Sequence, residues 1–287
     1  MTIAEFLTRA AERLRQNEIP EFRREASSLL SFVLNKNKAF LIAHPEYRLT
    51  TEEAASFESV VRRRAGREPY QYIVGRQEFY GLDFEVTQGV LIPRPETEIL
   101  VEAAIGLLAG IKNPIFYEIG VGSGCISVSI LAKVKDSRAV GVDISDNALA
   151  LSKKNAQTHN VAARLKLRKA NVFEGMSGTV DLIVSNPPYI PQNELADLQP
   201  EVGQFEPHSA LFGGPDGLDI IRSIAHAAPL FLKPGGFILI EIGFGQAGGV
   251  EELFDPDIWK DVDFLPDFQG IPRIAKVRFS PSRPRIG

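Results

Sequence analysis

The sequence predicts an α/β fold: a doubly wound, mostly parallel seven-stranded sheet preceded by a small N-terminal helical domain. Three observations lead there. Short apolar, strand-sized segments recur near 115–119, 138–142, 165–169, 181–185, 237–241, 259–265 and 273–279, with helical segments between most of them, the pattern of a parallel sheet covered on both faces. The first of these strands runs directly into a glycine-rich turn, as ligand-binding sheets of this class do at their strand C-terminal ends. The first 66 residues carry apolar positions at helical rather than strand spacing, which sets them apart as a separate module.

The elements follow in order. Ile3, Phe6, Leu7, Ala10, Ala11 and Leu14 form one amphipathic stripe, and Thr2 with Glu5 is a capping box at its start. Pro20 opens a second helix carrying Ala26, Leu29, Leu30, Val33 and Leu34. Thr50 and Glu53 cap another, with Val60 and Val61, that ends at Gly66 after Arg62, Arg63 and Arg64. Those arginines complement the dipole of a helix C-terminus, with a partner-binding patch as the alternative. Residues 70–95 change character: Tyr72, Ile73, Phe79, Tyr80, Phe84 and Val86 stand between glycines and read as a β-hairpin connector, which Pro93 and Pro95 stop. After Glu96 a helix leads into the sheet. The expected organisation is therefore a helical domain over 1–69, a connector over 70–95 and the sheet domain over 96–287. The last two strands lack an intervening helix, so one is expected to pair antiparallel at the edge. The Pro-, Gln- and Gly-rich stretch 190–216 is a long loop directly after a strand, and loops of that length are usually functional.

Composition excludes several classes. Of 287 residues, 44% are apolar and 24% charged, a globular balance that rules out a disordered or collagen-like chain. Cys125 stands alone, so neither an internal disulfide nor a multi-thiolate zinc site is available. With 32 basic and 36 acidic residues overall, a broad electrostatic grip on nucleic acid is not supported. Residues 1–85 hold 13 of each sign and are neutral. The most apolar stretches, such as Phe237 to Phe244, fall far short of a membrane span. The N-terminus, with Glu5 and Glu12 in an amphipathic pattern, does not resemble a signal peptide. A cytoplasmic monomer with no membrane contact, no metal and no direct nucleic-acid partner is expected.

The first chemical signal is Tyr117-Glu118-Ile119-Gly120-Val121-Gly122-Ser123-Gly124-Cys125, closing the first strand. Alternate glycines let backbone approach a ligand where a Cβ would collide. A dinucleotide site needs Gly-x-Gly-x-x-Gly; here the third glycine is one position early, and Glu118 would set a negative charge beside a pyrophosphate. A ligand-free turn and a nicotinamide site are the competing readings. Nineteen residues after Gly124, Asp143 ends the next strand, placed to accept from two ribose hydroxyls; a helix-entry acid before Ser145 is its alternative role. An acid suited to a cation, a ribose acceptor and no phosphate grip together describe S-adenosylmethionine.

The second signal is Asn186-Pro187-Pro188-Tyr189 at the end of the fourth strand. Consecutive prolines stiffen the loop and offer carbonyls without N–H groups. A planar NH2 group could donate one hydrogen to the Asn186 side-chain oxygen and the other to the Pro187 carbonyl. Those acceptors favour pyramidalisation as positive charge grows on the nitrogen, and Tyr189 can lie against the planar group. A proline-rich turn that merely ends a strand is the bland alternative.

Asn-Pro-Pro-Tyr after an apolar strand resembles methyltransferases acting on planar NH2 groups, both adenine-N6 and glutamine-N5 enzymes. Arg67-Glu68-Pro69, Gly75, Glu78-Phe79-Tyr80-Gly81, Leu91 to Glu98, Ile183 to Ile190, Gly213 to Leu218, Leu239 to Gly243 and Gln246 resemble the peptide chain release factor glutamine methyltransferases (the HemK/PrmC family) over residues 5–279. The resemblance implies an S-adenosylmethionine-dependent methyltransferase sheet. It implies a helical domain that contacts a class I release factor, and methylation of the glutamine of its Gly-Gly-Gln tip. It also implies that Glu118, Gly120, Val121, Gly122, Ser123, Gly124, Asp143, Asn171, Val172 and Asn186 bind the cofactor, that Asn186, Pro187, Pro188 and Tyr189 bind substrate, and that Asn186, Pro187 and Tyr189 carry the chemistry. Glu118 and Asn171 each stand where the family usually has Asp. Adenine-N6 methylation and a catalytically silent cofactor-binding adaptor are the other functions considered. His44, His159, His208 and His226 are scattered and suit surface or core roles, Cys125 is a small packing residue, and Arg94 and Glu98 tie the connector to the sheet.

Overall fold

The computed structural model describes residues 1–281. The chain folds into two compact units, one of Met1–Arg76 with Gln199–Phe205, the other of Gln77–Leu198 with the chain from Glu206 on.

The first unit holds α1 (Ile3–Gln16), α2 (Phe22–Leu34), α3 (Lys38–Ala43), α4 (Thr51–Ala65) and α5 (Tyr70–Val74). Capping boxes at Thr2/Glu5 and Thr50/Glu53 start α1 and α4. The stripe positions Ile3, Leu14, Leu29 and Leu30 are fully buried, and Phe6 meets Phe57 edge-on at 5.9 Å. Two expectations need correction. Pro20 lies two residues before α2, whose N-cap is Glu21 in a left-handed conformation. Tyr72 and Ile73 belong to α5 rather than to a strand, buried in the helical core or beside it: their short apolar run is ambiguous in period, and packing decided it. Arg62 to Arg64 do close α4, yet Arg64 turns inward. It is 4% exposed and pairs with Glu25 and with Glu201, which also holds Arg67 at 2.8 Å. The segment 199–205 is thus fastened into this unit by ion pairs.

The hairpin β1 (Arg76–Phe79) and β2 (Leu82–Glu85) follows, then α6 (Thr97–Leu108). Next come β3 (Ile115–Ile119), α7 (Cys125–Lys133), β4 (Arg138–Asp143), α8 (Asp146–Thr158), β5 (Leu165–Lys169), β6 (Val180–Ser185), α9 (Pro200–Gly203), α10 (Asp219–Ala227), β7 (Leu232–Glu241), α11 (Ala247–Glu251), β8 (Trp259–Pro266) and β9 (Pro272–Phe279). Seven strands form one sheet in the order β5-β4-β3-β6-β7-β9-β8, parallel except where β9 runs against both neighbours. The antiparallel strand is therefore one place in from the edge, with β8 outermost. Strand alternation sends Phe116, Leu182, Val184 and Leu239 into the layer of α6 and α7, and Tyr117, Ile119, Ile183, Ile238 and Ile240 into the opposite layer with α10.

Candidate active site

The chain starts the sheet at β3, builds outward through β4 and β5, then returns to add β6 on the other side. That reversal opens a crevice at the strand C-termini, where open α/β sheets bind ligands. The register fixes what meets there. Ile119 is level with Val142 on β4 and with Ser185 on β6, so Gly120, Asp143 and Asn186 leave three adjacent strands side by side. All three line one cleft with Glu118, Val121, Gly122, Ser123, Asn171, Val172 and Pro188.

The glycine turn is made largely of backbone. Gly120, Gly122 and Gly124 have φ of +76°, +53° and +81°; a Cβ at Gly122 would meet nothing within 4 Å and leaves open space toward the cleft, whereas one at Gly124, which is not among the lining residues, would come within 2.5 Å of Ser152 Oγ. Gly120 and Val121 both donate to the Val142 carbonyl at 2.9 Å. Asp143 holds the turn from below: Oδ2 accepts from the Gly122 N–H at 2.9 Å, and Oδ1 from the Ser145 N–H at 2.9 Å. The bond to Ser145 is the helix-entry role, and each carboxylate oxygen keeps a second acceptor direction. Glu118 is 1% exposed and accepts from both the Ser127 N–H, at 2.9 Å, and the Ser127 hydroxyl. Burial pushes its pKa up to about 8 against the pull of those bonds, with Asp143 adding to the rise; a cation in the cleft would draw it back. Val172 holds φ +50°, a costly conformation for a β-branched residue that marks a constrained rim position. Asn171 beside it is exposed. The turn, the acid at its root and the open space above it fit a nucleoside with a cationic tail.

The opposite wall is made of side chains. Asn186 Nδ2 donates to Thr97 Oγ1 at 3.1 Å, and the Thr97 hydroxyl donates to Glu241 Oε2 at 2.6 Å. The Tyr189 phenol stands near enough to the same carboxylate to feel its charge. Burial pushes the Tyr189 phenol well above the ordinary range, with Glu241 adding to the rise. Pro188 lines the cleft, whereas Pro187 is buried and neither it nor Tyr189 is among the lining residues. The glycines of Gly213 to Leu218 brace this loop: a Cβ on Gly213 would come within 2.5 Å of the Pro188 carbonyl, and one on Gly217 would run into the Tyr189 carbonyl. Gln246 completes the brace, donating to the Tyr189 carbonyl and accepting from Gly243 N–H.

Four contributors escaped the sequence reading as site residues. Thr97 and Glu241 form a hydrogen-bonded chain to Asn186. Asn155 joins the Glu85 backbone to the Ser123 carbonyl at 2.9 Å. Glu206, 4% exposed, holds the Ile92 N–H and Arg94. Glu241 carried a signal, a polar residue on an apolar face that follows Leu239 on the α6 side of β7, whereas Glu206 lies in a loop and carried none. Arg94 and Glu98 do tie down the connector, Glu98 through the Tyr80 N–H at 2.9 Å. His44 and His159 are bound to the backbone carbonyls of Phe40 and Asp83, and burial pushes the Cys125 thiol up to about 12, as suits packing.

Comparison with known proteins agrees with this geometry. The PrmC N-terminal domain model matches residues 5–75, and the methyltransferase small domain model matches residues 103–199. The chain is 44% identical to the release factor glutamine methyltransferase of Geobacter sulfurreducens, over 91% of both chains. It is 39% identical to that of Koribacter versatilis, over 96% of this chain and 98% of the other. A methyltransferase structure from Pyrococcus furiosus shares the fold, with a TM-score of 0.54 at 18% identity over 71% of this chain and 91% of the other. By sequence, this chain belongs to the release factor glutamine methyltransferase family.

Proposed function

We propose that this enzyme transfers a methyl group from S-adenosylmethionine to the side-chain amide nitrogen, N5, of the glutamine in the Gly-Gly-Gln motif of a class I peptide chain release factor, as a cytoplasmic monomer. The observation that carries the reading is the pinned amide of Asn186. With Nδ2 occupied by Thr97, the oxygen Oδ1 is the end left to accept a hydrogen from a substrate NH2. The Pro187 carbonyl accepts the second hydrogen. Held by two acceptors, the amide nitrogen is turned so that its lone pair can leave conjugation, and positive charge growing there is stabilised in place. S-adenosylmethionine, when bound, supplies an electrophilic methyl on a sulfonium. The amide nitrogen held by Asn186 and Pro187 would take the methyl that the sulfonium gives up, leaving a neutral thioether, and would release one proton to water. Gly120 to Gly124 would hold the methionine part with Glu118 near its ammonium, Asp143 the ribose, and Asn171 and Val172 the adenine edge. Pro188 and Tyr189 would shape the acceptor's side, Tyr189 from behind the loop.

The helical unit is assigned to docking the release factor, which its match to the PrmC N-terminal domain model supports. Hydrogen exchange on the whole enzyme should show protection of α1 to α4 when release factor is added; unchanged exchange there would remove the docking role. For the reaction itself, enzyme with methyl-labelled cofactor is given either release factor or DNA. Label on the Gly-Gly-Gln glutamine, located by tandem mass spectrometry, is the expected result. Label on DNA would favour the adenine-N6 reading, and label on neither the silent adaptor.

A further inference from the structure

The side chain of an asparagine fits its site by shape in two ways, with oxygen and nitrogen exchanged, so something polar must choose between them. Here the choice is traceable. Thr97 stands at the first turn of α6 and is 1% exposed; Glu241 ends β7 and is 2% exposed. When Glu241, whose pKa burial pushes up to about 7, is ionised, its Oε2 can only accept, so the one hydroxyl hydrogen of Thr97 goes to it at 2.6 Å and Thr97 Oγ1 accepts from Asn186 at 3.1 Å. A flipped amide would set Asn186 Oδ1 against an oxygen whose hydrogen is engaged elsewhere, in a place too buried for water to repair the loss.

We infer that Glu241, acting through the Thr97 hydroxyl, is the positioning residue that fixes the direction of the Asn186 amide and so turns its oxygen toward the methyl-accepting nitrogen. This rests on the substrate reading above. Glu241 is not among the residues lining the cleft, and its carboxyl accepts from Thr97, so it acts through Asn186 and not on the substrate.

The test compares wild type, Thr97→Val, Thr97→Ser and Glu241→Gln as full-length enzymes, measuring kcat and KM with release factor and cofactor affinity by calorimetry. Thr97→Val keeps the shape and removes the hydroxyl; kcat should fall about 10- to 100-fold, the scale of one buried hydrogen bond, with cofactor affinity unchanged. Thr97→Ser restores the hydroxyl and should stay within about threefold of wild type, with Glu241→Gln between the two because an amide can still accept from Thr97. In an Asn186→Ala background, adding Thr97→Val should cost less than about threefold, since the pair acts through one contact. If Thr97→Val binds no cofactor, Thr97→Ala and Glu241→Gln carry the same comparison. A Thr97→Val enzyme with wild-type kcat, a loss that Thr97→Ser does not rescue, or an undiminished loss without Asn186 would each overturn the relay. Wild type that fails to methylate release factor would refute the substrate reading itself; active wild type with an indifferent Thr97 would refute only the positioning.

Discussion

The two walls of the cleft are built from different material. On the proposed cofactor side, Gly120 to Gly124 present backbone, braced by contacts from Val142, Asp143 and Asn155. On the acceptor side, a single amide is aimed by side chains that arrive from α6 and β7, 89 and 55 positions away by residue number (186 − 97 and 241 − 186). Backbone suits a ligand that must be gripped in every turnover, because it has no rotamers to lose. A side-chain relay suits the group that must meet charge as it develops, because its direction can be set by partners out of reach of solvent. The two walls should therefore fail differently when altered.

The largest effect is expected on the acceptor side. Asn186→Ala should lower the rate of methyl transfer about 10²–10³-fold, the cost of removing one preorganised contact at developing charge, and leave cofactor affinity nearly intact. Rapid-quench single turnovers read this directly; a variant retaining more than about a tenth of the rate would break the acceptor role. On the cofactor side, Asp143→Ala should weaken cofactor binding about 10- to 100-fold by calorimetry, because a charge-assisted acceptor is lost and the Gly122 N–H is released. Unchanged affinity would remove Asp143 from the ribose site.

Glu118 sharpens the contrast through pH. Its folded pKa of about 8, against an ordinary 4.5, is raised chiefly by burial, so the folded chain holds a proton that the unfolded chain has released. Its contribution to stability is full below about pH 4.5 and is lost as pH rises through about 8, a change on the order of a few kcal/mol. Urea denaturation of the apo-enzyme from about pH 5 to about pH 8 should show that slope, and Glu118→Gln should lack its share. Saturating cofactor, whose ammonium favours the ionised carboxyl, should flatten it; a slope identical with and without cofactor would place Glu118 away from the cation.

The smallest effect is expected at Tyr189. From sequence, Tyr189→Phe reads as mild, because the ring rather than the hydroxyl faces the planar group in that reading. The Glu241 carboxylate near its phenol raises the expectation to a several-fold loss of kcat, the scale of one hydrogen bond. A wild-type kcat would return the residue to a packing role.

The same difference in material explains what could be read in advance. The seven strands of the sheet fall near the expected segments, because each is a local pattern within a few positions, but β7 begins at Leu232, five residues before the expected start at 237. The glycine turn, Asp143 and the Asn186 to Tyr189 loop were legible for the same reason. Thr97 and Glu241 were not: a threonine opening a helix and one acid closing an apolar strand are common alone, and only the pairing of β6 with β7 and the passage of α6 over them make a relay. Tyr72 and Ile73 show the converse failure, five residues of apolar sequence too short to declare a period. The inward turn of Arg64 depended on Glu201, 137 positions away, which no local reading could supply.

The most direct test measures both walls on the same two variants. Cofactor affinity and the single-turnover rate at saturating cofactor are determined for Asn186→Ala and for Asp143→Ala. The account predicts a crossed result: the first keeps its affinity and loses its rate, the second loses affinity and keeps most of its rate once cofactor is saturating. Parallel losses of affinity and rate in both variants would contradict it, because the two walls would then be one coupled structure rather than a grip and an aim.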